Sequence, residues 1–109
     1  MDVLFEDEKF RDLVGDFKGL SREYGALQAR KVQQRIKELR SAETLADMRL
    51  MPGRAHELKA DLAGTFAVDL VQPSRLLFEP AEYKELNGGG IDWASVTGIV
   101  VIRIEADYH

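Results

Sequence analysis

The 109-residue chain has no cysteine, which removes disulfides, thiolate nucleophiles and cysteine-type zinc sites from consideration. Histidine is scarce, with two in the whole sequence, and proline occurs three times. No apolar run approaches the roughly 20 residues that a bilayer-spanning helix needs. The acidic N-terminal stretch does not have the basic and apolar pattern of a signal peptide. A cytoplasmic location is therefore the expectation.

The sequence has the composition of a folded domain. A chain of this length suits one domain spanning residues 1–109 and buries roughly 60–70% of its unfolded surface. Net charge is −4, unevenly spread: residues 18–59 hold ten basic and five acidic side chains, whereas residues 60–109 hold three basic and eight acidic. The middle segment can meet an anionic polymer, although the molecule as a whole does not attract one from a distance. A solvated helix face explains the same charges equally well.

Val3-Leu4-Phe5 reads as a short edge strand. Phe10, Leu13, Val14 and Phe17 recur at helical spacing over residues 7–17, with Gly15 weakening the pattern and Gly19 as its expected stop. From Tyr24 to about Ala42, Ala29, Val32, Ile36 and Leu39 form one apolar stripe, and Arg30, Lys31, Gln33, Gln34, Arg35, Lys37 and Arg40 fill the other faces. Thr44 to Leu50 adds a short helical turn before Pro52-Gly53.

The period then changes from helical to alternating. Phe66, Val68 and Leu70 share one face of a strand, Pro73-Ser74 is a turn, Arg75 to Glu79 is a second strand, and Ile99 to Glu105 is a last one. Asp92 is placed to cap a helical turn after the flexible run Asn87-Gly88-Gly89-Gly90. This order predicts an α+β fold: a short N-terminal strand and two to three helices packed on one face of a small antiparallel sheet. Tyr24, Tyr83 and Trp93 are expected to pack rather than to bind.

Chemistry concentrates at the chain end, Asp107-Tyr108-His109, and near the other histidine, in Ala55-His56-Glu57-Leu58-Lys59. Imidazoles titrate near neutrality, so two of them can share the acid and base roles of a proton transfer. Lys59 and Arg75 can neutralise charge developing on a phosphate, and Tyr108 offers a proton or a face on which a base can stack. If the last strand lies beside the strand of His56, both histidines meet. Two histidines in so short a chain also fit one surface position and one partly buried position with no catalytic role.

The run His56-Glu57-Leu58-Lys59-Ala60-Asp61-Leu62-Ala63-Gly64, followed by Phe66-Ala67-Val68, Arg75-Leu76-Leu77-Phe78 and the terminal Asp107-Tyr108-His109, resembles HigB-type toxins (plasmid-maintenance killer proteins) of the RelE/ParE superfamily. The resemblance covers nearly the whole chain. It implies a RelE-like fold and the toxin of a toxin-antitoxin pair, cutting messenger RNA on the ribosome without metal or cofactor. By the same resemblance His56, Asp107, Tyr108 and His109 are the catalytic positions, and Lys59 and Arg75 contact the substrate phosphate.

The implied partner is a cognate antitoxin of the helix-turn-helix type, with no membrane contact and no DNA reading by this chain alone. Two further readings stand beside the nuclease: a ParE-like gyrase poison, and a toxin-fold protein that only binds its antitoxin. The chain departs from the family pattern in its net acidity, in Glu57 where a proline often follows the first histidine, and in a long segment 80–98.

Overall fold

In the computed structural model, which describes residues 1–106, the apolar stripe becomes the inner face of a 16-residue helix, α3 (Ala26–Ser41). Ala29, Val32 and Leu39 are fully buried and Ile36 nearly so. Two shorter helices precede it, α1 (Glu8–Val14) and α2 (Phe17–Tyr24). Asp7 caps α1 by accepting from the Lys9 amide, and Gly15 ends it. Gly19, expected as a stop, lies inside α2. A Cβ there would come 2.6 Å from Asp16 Oδ2, so the glycine leaves room for the residue at the helix start. Residues 45–50 form the short 3₁₀ turn the sequence suggested.

Five strands follow the order β1-β5-β4-β3-β2: β1 (Asp2–Phe5), β2 (His56–Glu57), β3 (Phe66–Asp69), β4 (Arg75–Pro80) and β5 (Gly98–Glu105). Pairing from β2 through β5 is antiparallel, as expected. β1 instead lies parallel to β5, which makes the sheet mixed. The helices cover one face, where Phe66, Val68, Leu76, Phe78, Ile99 and Val101 join their buried side chains. Phe66 stacks on Phe78 with ring centroids 5.7 Å apart.

The last strand does not lie beside the strand of His56. β3 and β4 intervene, a separation of roughly 14 Å at ordinary strand spacing. The cause is topological: β4 returns antiparallel against β3, and β5 then adds to the far side of β4.

The long connection between β4 and β5 folds back on itself through a Glu85–Ile91 bridge. Asp92 caps the turn Trp93–Ser95, as anticipated. Trp93 packs edge-on against Phe66 and lies under the Arg49 guanidinium, 3.9 Å from its ring centre. Tyr24 and Tyr83 do not pack as expected; they are 38% and 49% exposed, because each sits on an outer surface of the fold. Among the described residues no helix is long and apolar enough to cross a membrane.

Arg35 corrects a further expectation. It was assigned to the solvent face of α3, yet only 6% of it is exposed. Its Nε donates to the Asp69 carbonyl at 2.7 Å, and Nη1 reaches Glu38 Oε1 at 2.9 Å. Gly53 lies against it, with φ of +103° and space for a Cβ only 2.8 Å from the guanidinium Nε. A side chain at 53 would push this charge from its partners. Replacing Arg35 by leucine strands Glu38 and an end-of-strand carbonyl, so stability should fall by about 3 kcal/mol. Urea unfolding should show this as a lower midpoint with unchanged slope.

Candidate functional site on the open face of the sheet

The sheet face away from the helices carries the chemistry. Register partners share a face, so the cross-strand rows His56–Ala67–Leu77–Arg103 and Asp69–Arg75–Glu105 lie side by side on it. A shift in register between Leu77 and Phe78 leaves Ile102 as the extra residue of β5. This bulge turns both Ile102 and Arg103 to the open face. Leu58, Ala67, Leu77 and Ile102 form a small apolar floor there, with charged groups at its rim.

His56 is held from both sides. Its Nδ1 lies 2.7 Å from the Arg54 carbonyl, and its Nε2 lies 3.2 Å from Arg75 Nη1. A carbonyl only accepts and a guanidinium only donates. These partners fit a ring that donates from Nδ1 to the Arg54 carbonyl and accepts at Nε2 from Arg75. Arg75 is 8% exposed, so its charge acts in a setting where little water screens it.

Arg54 and Asp69 complete the rim. Arg54 Nε donates to Asp69 Oδ2 at 2.6 Å. That hydrogen bond, and then the carboxylate's charge, raises the Arg54 pKa above its ordinary value. Arg54 also holds φ at +51°, a left-handed conformation that costs a side-chain-bearing residue about 1–2 kcal/mol. The Asp69 amide donates to the Gly53 carbonyl at 2.7 Å, which secures the same loop. Arg54, His56, Asp69, Gln72, Pro73 and Arg75 line a cavity of about 550 Å³. That volume suits a nucleotide-sized group.

Of the residues expected at the site, the structure joins His56 with Arg75. Lys59 is exposed and lies with His56, Leu58 and Leu62 around a separate depression of about 240 Å³. Glu57 alternates to the other face, opposite Phe66, and its Oε2 accepts from the Gly64 amide at 3.0 Å. Its carboxylate therefore does not crowd the cavity. Asp107, Tyr108 and His109 lie outside the described residues.

Arg54 and Asp69 were missed by the sequence reading. Their one signal was that Asp69 falls on the polar side of an alternating strand. Among the described residues no group of three or more histidine or carboxylate side chains is arranged to hold a metal ion.

Several solved structures share this architecture. A YoeB/ParE toxin from Agrobacterium tumefaciens superposes with a TM-score of 0.61 at 15% identity, covering 99% of this chain and 100% of that one. A YoeB–YefM complex from Staphylococcus aureus gives 0.60 at 14% identity, covering 99% and 98%. The YoeB dimer from the same organism gives 0.57 at 15% identity, over the same shares. No protein-family model and no curated sequence matches the chain.

The fold is that of the YoeB/ParE toxins. The chain is similar to them over 99% of its length.

Titration with a 3′-mononucleotide should move the ring NMR signals of His56. Arg75→Gln should weaken that binding about tenfold, as loss of one charge-assisted contact implies, whereas Lys59→Gln should change it by about twofold at most.

Proposed function

We propose that the protein is the toxin of a toxin-antitoxin pair and a ribonuclease acting on messenger RNA in the cytoplasm. The observation that carries this is the placing of the His56 imidazole on a cavity wall, with its Nε2 3.2 Å from the Arg75 guanidinium that lines the same cavity. Cleavage needs a base to take the proton of a ribose 2′-hydroxyl as that oxygen attacks the adjacent phosphorus. An acid must protonate the departing 5′-oxygen as its bond to phosphorus breaks, and cations must stabilise the charge gathered on phosphorus. The products are a cyclic phosphate and a free 5′-hydroxyl.

In this reading His56 moves one proton and His109 the other, Asp107 orients an imidazole, Tyr108 stacks on a base, Arg75 contacts the phosphate in the cavity, and Lys59, at the neighbouring depression, makes a weaker, flanking phosphate contact. Support for a shared site comes from the register: Glu105, the last residue of β5, stands opposite Arg75. Four further residues of chain reach at most roughly 14 Å, so His109 is within covalent reach of the cavity. The similar structures support a toxin fold, and the YoeB–YefM complex among them supports an antitoxin as partner. The resemblance of the His56 run and the terminal Asp107-Tyr108-His109 favours the HigB type and the ribosome as the place of action.

Growth after induction without antitoxin tests the reading, comparing wild type, His56→Ala and a chain lacking His109 while mapping messenger RNA 5′ ends. Arrest with new, codon-linked ends in wild type alone is the expected result. Arrest that survives both changes and brings gyrase-dependent DNA breaks would replace the nuclease with a gyrase poison. No arrest in any strain would leave a fold that only binds its antitoxin.

A further inference from the structure

We propose that Asp69 is a positioning residue for His56: it clamps Arg54 so that the Arg54 carbonyl selects the Nδ1–H tautomer and leaves on Nε2 the lone pair that accepts from Arg75 in the unliganded chain and takes a proton once substrate is bound. The catalytic meaning of this proposal rests on the ribonuclease reading, whereas the tautomer can be measured without it.

Every polar contact of Asp69 holds something that bears on His56. Its carboxylate Oδ2 accepts from Arg54 Nε at 2.6 Å. Its amide donates to the Gly53 carbonyl at 2.7 Å, and its own carbonyl accepts from the buried Arg35 at 2.7 Å. Asp69 is also the register partner of Arg75 across β3 and β4. One residue thus ties together the loop whose carbonyl faces Nδ1 and the strand whose guanidinium faces Nε2.

The clamp is needed because Arg54 sits where it does not rest by itself. With φ at +51°, a residue bearing a side chain is strained and relaxes unless its surroundings hold it. Side-chain retention through Asp69 keeps the conformation, and the conformation aims the carbonyl. Without that acceptor the Nδ1–H form loses its partner, and an unconstrained histidine side chain favours Nε2–H. That form would set an N–H against the Arg75 donors and leave Nε2 no lone pair for a proton.

Asp69 Oδ1 is buried with no hydrogen-bond partner among the described residues, an arrangement that costs stability. Replacing this carboxylate is therefore not expected to unfold the chain.

The test is long-range proton–nitrogen NMR of the two imidazoles in the full ¹⁵N-labelled chain, in mildly alkaline buffer. His56→Ala identifies the His56 signals. Wild type should show Nδ1 protonated and Nε2 bare. In Asp69→Ala the Nδ1–H signal should fall and an Nε2–H signal replace it. Messenger RNA cleavage should drop about tenfold or more through kcat, with KM little changed, as expected when a base is present in the wrong tautomer. Adding Arg54→Gly to Asp69→Ala should restore part of the Nδ1–H population, since glycine adopts positive φ without strain.

A folded Asp69→Ala protein whose His56 stays wholly Nδ1–H overturns the proposal and leaves the ribonuclease reading intact. A tautomer shift in a chain whose wild type cleaves no RNA does the reverse. Should Asp69→Ala fail to fold, Asp69→Asn, which keeps the shape and weakens the ion pair, is read by the same criterion.

Discussion

The guanidinium of Arg35 brings a full positive charge through a helix face that is otherwise apolar and sets it on the carbonyl of Asp69. A buried charge is tolerated only where its donors are met, and here they are met by the last residue of β3 and by Glu38. The contact joins the helical layer to the sheet at the one end where the cavity opens. It also dictates Gly53, because no side chain fits between that residue's backbone and the guanidinium. From Asp69 the constraint passes to Arg54, from Arg54 to His56, and from His56 to Arg75. The geometry of the open face hangs from a helix residue that never reaches it.

Electrostatics on that face differ from the charge of the whole. The chain carries −4, yet Arg54, Arg75 and Arg103 gather beside the cavity and its adjoining rows. Asp69 and Glu105 pair with Arg54 and Arg103, so charge on this face is met locally. Such a surface does little to steer an anion from afar. Glu57, which on sequence alone set a negative charge beside the first histidine, is turned to the opposite face by strand alternation.

Much of the fold was legible because periodicity survives in any environment. The α3 stripe, the alternation of Phe66, Val68 and Leu70, the cap at Asp92 and the final strand all stand where the residues indicated. Local reading failed where a distant partner overrode a local preference. Arg35 looked solvated until the Asp69 carbonyl was seen to meet it, and Gly19 looked like a helix stop until Asp16 was seen to fold over it. Tyr24 and Tyr83 are aromatic and so were expected to pack, but on the helices and the β4–β5 connection they stay 38% and 49% exposed.

Residue order alone settled the class of the molecule, since apolar spacing of 3.6 and then 2 admits helices covering one face of a sheet and little else. It also marked His56 and Arg75, because side-chain chemistry is written in the sequence. Strand order, the parallel entry of β1 and the separation of β5 from β2 came from long-range pairing, which no local pattern encodes. The tautomer of His56 came from there too. It depends on a carbonyl two residues away, in Arg54, which is tied to a carboxylate fifteen residues further on, and only the folded chain brings those groups within hydrogen-bonding distance.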